Sequence, residues 1–127
     1  MRFPWTCFAS KRLMYSCKIV TFEDLSRDPD KYKGQLVVVT GQVIQAMDAS
    51  SADYYCSYRA NMTKGSYGIY YDTVLIYYDG YGKTPRILEN DIVTFWGEYQ
   101  GLTSYESIFG QTITLPHIIA DYVKIKS

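Results

Sequence analysis

The residues that could do chemistry in this chain are mostly phenols. Fourteen tyrosines, with five phenylalanines and two tryptophans, make 17% of its 127 residues aromatic, against 13 Lys+Arg, 13 Asp+Glu and one histidine. A ring with an arginine or lysine beside it stacks a flat partner and pairs an anion, which is the chemistry of recognition rather than of bond breaking. The catalytic patterns are missing. His117 follows Pro116 with no serine or cysteine motif to partner it, so a structural role is expected. Asp72, Asp79, Glu89, Asp91, Glu98 and Glu106 are spread along the chain at no spacing that would gather them round a metal, and Glu89 and Asp91 flank Asn90 as turn-capping residues do. Cys7, Cys17 and Cys56 are an odd set with no C-x-x-C pair and no neighbouring histidine, which argues against zinc. There is no phosphate-binding loop and no dinucleotide fingerprint. The expectation is a non-enzymatic chain that uses no metal and no small-molecule cofactor.

The elements that must hold these residues are strands. Before them, T-F-E-D at Thr21 predicts a capped short helix over Phe22 to Arg27, Asp28-Pro29 a second start, and Gly34 its stop. The period then changes to two. Residues 35–47 form a long β-branched run bent near its middle by Gly41, and D-Y-Y-C-S-Y-R-A-N-M alternates from Asp53 to Met62. In that second strand Tyr54, Cys56, Tyr58, Ala60 and Met62 share one face, while Tyr55, Ser57, Arg59 and Asn61 share the other. A loop from Thr63 to Gly68 leads to a third strand, Asp72 to Asp79, and G-Y-G-K-T-P connects to a fourth, Asp91 to Tyr99. A turn at Gly110-Gln111 precedes a short strand, Thr112 to Leu115, that Pro116 is expected to end, and H-I-I-A-D-Y-V-K-I makes a last one. Five to six strands with only short leading helices predict an all-β domain, a small antiparallel barrel that Gly41 and Gly97 allow to bend.

Charge divides the chain in two. Arg2, Lys11, Arg12 and Lys18 precede the first acid, Glu23, so residues 1–19 read as a basic leader, and residues 19–127 carry nine bases against 13 acids, a formal charge of −4. Residues 20–127 read as the domain. The leader's apolar stretch is broken by Pro4, Thr6 and Ser10 and stopped by Lys11-Arg12, too short for a secretory or membrane-spanning segment. The chain as given reads as cytoplasmic, or as envelope-associated if a longer N-terminal anchor precedes it.

The motifs V-T-F-E-D-L-S-R-D-P-D-K-Y-K-G, V-T-G-Q-V-I-Q-A-M, R-I-L-E-N-D-I-V-T-F-W-G-E-Y-Q-G, L-T-S-Y-E-S-I-F-G-Q-T-I-T-L-P and I-I-A-D-Y-V-K-I, in this order, resemble the C-terminal OB-fold domain of TcdC-like negative regulators of clostridial toxin operons. The resemblance runs from Val20 to about Ile125. It implies a five- to six-stranded OB barrel behind a short N-terminal helix, in a bacterial regulator; the membrane anchor and coiled coil of such regulators have no counterpart in this sequence.

An OB barrel binds on the face of its second and third strands, helped by the loops beside them. On this chain that face carries Tyr55, Arg59 and Tyr77, with Lys64 and Tyr67 nearby, and Tyr54 or Tyr58 as further rings. The tyrosines would stack, and the two bases would pair phosphate or carboxylate. A body of charge −4 repels phosphate at long range, so the first reading is a protein partner bound through aromatic surface. Single-stranded nucleic acid, held by stacking, is the alternative. The T-S-Y-E-S segment is expected to set a turn and strand register rather than to touch a ligand.

Overall fold

A capping box opens the first helix. Thr21 Oγ1 accepts the Asp24 N–H at 3.0 Å, and Asp24 Oδ2 accepts the Thr21 N–H at 3.0 Å, which fixes α1 (Phe22–Arg27). Pro29 then opens α2 (Pro29–Tyr32), and Gly34, at φ +85°, takes the left-handed turn into the sheet. The computed structural model describes residues 17–47, 56–79 and 85–126.

Six strands follow one another: β1 (Lys18–Ile19), β2 (Leu36–Met47), β3 (Cys56–Lys64), β4 (Tyr70–Tyr78), β5 (Ile92–Glu106) and β6 (Thr112–Ile125). Their lateral order is β1-β2-β3-β4-β6-β5, and β5 pairs back onto β2, so five strands close into a barrel with β1 as an extra parallel strand on β2. Closure depends on β2 serving two partners. Its first half, Leu36 to Gln42, pairs β5, and from Gln42 it pairs β3. Gly41 stands where the strand leaves one partner for the other, and a Cβ there would lie 2.6 Å from the Asn61 carbonyl oxygen. On β5 the register with β6 shifts at Gly97, where a Cβ would run into the Ile119 oxygen. The barrel is antiparallel except where β6 returns parallel to β4. This is the OB architecture, and the all-β expectation holds.

Period-two alternation fills the interior. Val37, Val39 and Val43 from β2, Tyr58 and Ala60 from β3, Val74 and Ile76 from β4, Phe95 and Tyr99 from β5, and Ile118 and Ala120 from β6 make one core, with Leu25 of α1 packed into it. Tyr58 is 3% exposed, with its ring centroid 6.3 Å from that of Phe95, so this tyrosine belongs to the core and not to a binding face.

Two local expectations give way to longer elements. Pro116 does not end a strand; it lies inside β6, paired with Leu102, one residue before pairing with β4 begins at His117. There β6 has β5 alone beside it, a position that tolerates a missing N–H. Likewise β5 continues through Gly101, at φ +92°, to Glu106. Residues 102–106 and 112–116 therefore form a two-stranded arm that pairs only with itself among the described residues.

Candidate functional site

The outward face of β3 and β4 is set by register. Ser57 pairs Tyr77 and Arg59 pairs Leu75, so these four side chains share the face opposite Cys56, Tyr58, Val74 and Ile76. Gln45 pairs Arg59 from the other side, because a bulge at Ile44 shifts the β2–β3 register between Val43 and Gln45. The β5–β6 arm lies over this floor. Thr103, Ser104 and Tyr105 form one wall of a groove of about 360 Å³ whose other lining residues are Gln45, Met47, Ser57, Arg59, Leu75 and Tyr77.

Among the described residues Arg59 is the one charged side chain in the lining. Its guanidinium lies over the Tyr105 ring, 4.5 Å from the centroid, a cation–π contact that spans from β3 to the arm. Tyr77 packs edge-on against His117, with ring centroids 4.4 Å apart. His117 is held where burial pushes its pKa below the ordinary 6.5, and its Nε2 is buried without a hydrogen-bond partner. The histidine thus supports the groove floor as a neutral ring. The arm is braced by a 2.8 Å hydroxyl contact between Ser104 and Thr114, and its turn by Ser107 Oγ, which accepts the N–H groups of Phe109 and Gln111 at 3.3 Å.

Of the five residues expected to bind, Arg59 and Tyr77 meet in this groove. Lys64 and Tyr67 lie at the other end of β3, Lys64 exposed as its last residue and Tyr67 99% exposed in the turn Ser66–Gly68 at φ +62°. Tyr55 lies outside the described residues. Sequence reasoning did not single out Tyr105, Gln45 or Met47. Tyr105 sits within T-S-Y-E-S, whose hydroxyls do fix the hairpin as expected, while its ring contacts Arg59. Asp91 caps its turn, its Oδ2 accepting the Leu88 N–H at 2.8 Å. Among the described residues no group of three potential metal ligands occurs, and no helix is long and apolar enough to cross a membrane.

No protein-family model and no curated protein matches the chain. Among solved structures it is similar to the mitochondrial single-stranded DNA binding protein Rim1 of S. cerevisiae, at 10% identity and a TM-score of 0.48, over 73% of this chain and 95% of that one. It is also similar to the small single-stranded DNA-binding protein of Streptomyces coelicolor, at 12% identity and a TM-score of 0.49, over 73% of this chain and 94% of that one. The OB architecture itself rests on the strand order and closure described above.

Proposed function

We propose that the chain is a non-catalytic OB module that binds single-stranded nucleic acid in the groove between the β3–β4 face and the β5–β6 arm. The observation that carries this reading is the union of Tyr77 with a half-buried Arg59 stacked on Tyr105. Each ring offers a surface on which a base of any kind can stack, and among the described residues the lining contains no carboxylate to repel a phosphate. This reverses the order of the two readings taken from composition, because the formal charge of −4 is a sum over the body, whereas the one charge among the described lining residues is positive. The finer kinship with TcdC-like regulators belongs to the same proposal, supported by the shared order of motifs from Val20 to about Ile125, and it would make the module regulatory.

The test is a fluorescence-anisotropy titration with short single strands at two salt concentrations. Affinity should fall with salt at a logarithmic slope of about −0.7 for each phosphate met, which stays shallow for a groove whose one base among the described residues is Arg59. Tyr77→Ala should weaken binding roughly tenfold, from the worth of one stacked base, and Tyr55→Ala added to it should abolish binding with the thermal transition nearly unmoved. Absence of binding at low salt would sink the proposal.

A second reading has its own support. Ile19, Val38, Trp96 and Tyr122 are paired side by side in one row across β1, β2, β5 and β6, with Ile19 89% and Tyr122 39% exposed. An aromatic and aliphatic row of this kind fits a protein partner. A complex formed there would be lost on Trp96→Ala and would be nearly indifferent to salt.

A further inference from the structure

Arg59 differs from an ordinary phosphate-pairing arginine in how it is held. Its guanidinium is stacked on Tyr105, its side chain is half-buried on the groove floor, and none of its N–H groups is spent on a hydrogen bond or ion pair with the described residues. A guanidinium held over a ring carries its donors in its own plane as a rigid fork. Arg59 and Tyr77 are diagonal neighbours on the sheet, at a spacing of roughly 7–8 Å, so a base lying on Tyr77 brings its edge to that fork. On the opposite side Gln45 pairs Arg59 directly. The Gln45 amide donates only to the Met47 sulfur at 3.8 Å, a weak acceptor, and its Oε1 carries no hydrogen bond.

The geometry points to guanine as the base this groove selects, with Arg59 as the specificity-determining residue. Guanine presents two adjacent acceptors, O6 and N7, which match a bidentate arginine. Gln45, on the far side of Arg59 from Tyr77, places a second polar side chain beside the fork. Adenine puts a donor where guanine has O6 and meets the fork with the wrong polarity, and a pyrimidine has no N7. Recognition of a splayed single-stranded base by stacking plus edge contacts is physically ordinary. The inference rests on the stacking reading of the groove and goes beyond it, since stacking alone tolerates any base.

The full chain is titrated with three fluorescent oligonucleotides of equal length: all thymine, thymine with one central guanine, and the same with deazaguanine, which replaces the N7 acceptor by carbon. The guanine probe should bind roughly tenfold tighter than the other two, the usual worth of one bidentate contact. Arg59→Lys, which keeps the charge but not the fork, should bind all three probes equally, with its thermal transition as a check on folding. Equal affinity of the unmodified chain for the three probes overturns guanine selection while leaving the stacking groove in place. A tenfold preference surviving in Arg59→Lys overturns the assignment to Arg59. Failure of every probe to bind at low salt overturns both the selection and the nucleic-acid reading beneath it.

Discussion

Tyr99 is the side chain on which the leading helix depends. It is fully buried on β5, and its hydroxyl donates to the Leu25 carbonyl of α1 at 2.9 Å, tying a six-residue helix that could not stand alone to the barrel wall. Burial pushes its pKa from 10 up to about 12. The sign of the linkage follows. Between those values the unfolded phenol gives up its proton while the folded one keeps it, so stability is complete below pH 10 and is lost as pH rises through about 12. The loss should be about 3 kcal/mol. Tyr99→Phe should cost about 1–2 kcal/mol at neutral pH, since the Leu25 carbonyl loses its donor, and should also flatten most of the alkaline decline. Urea unfolding at neutral and alkaline pH checks both effects, and an alkaline decline unchanged in the variant would dissociate it from Tyr99. The T-F-E-D capping box and the alternating β3 pattern are readable at this scale because they are local: Thr21 and Asp24 cap each other three residues apart, and Cys56, Tyr58 and Ala60 point in, Ser57 and Arg59 out, as a period of two requires.

At the scale of elements, the β5–β6 arm is the feature that turns a flat sheet face into a groove, and it is the part the sequence concealed. Pro116 reads as a strand end because it lacks a donor, yet its place before the β4 pairing is a property of distant strands. Tyr105 reads as a register residue because nothing local tells that the hairpin bends back over Arg59. Lys64 and Tyr67 mislead in the opposite way. They follow Arg59 closely in sequence, but an extended strand carries Lys64 about 17 Å from it. The arm meets the floor through the Tyr105–Arg59 contact. Tyr105→Ala should therefore weaken oligonucleotide binding about fivefold to tenfold while shifting the thermal transition by no more than a few degrees, because the arm's own pairing and the barrel core are untouched. A loss of global stability of several kcal/mol in a urea titration would mean that the arm is part of the barrel's cooperative core instead.

Over the whole molecule, zero net charge is the sum of opposed regions. Arg2, Lys11, Arg12 and Lys18 stand against a body of residues 19–127 at −4, and among the described residues the groove lining holds one positive and no negative side chain. Contacts within the groove act at short range and persist in salt, whereas the field of the body acts on an approaching polyanion over roughly a Debye length, about 10 Å at 0.1 M. The two parts of binding should then separate kinetically. Replacing Arg2, Lys11 and Arg12 together by glutamine takes the full chain from 0 to −3, strengthening repulsion during approach without altering a groove residue. Association with a short single strand, followed by stopped-flow anisotropy, should slow severalfold at low salt and return to the unmodified rate at high salt, with dissociation unchanged throughout. A faster dissociation in the triple variant would instead make those three bases direct contacts, and the bound strand would then extend beyond the groove formed by Arg59, Tyr77 and the arm.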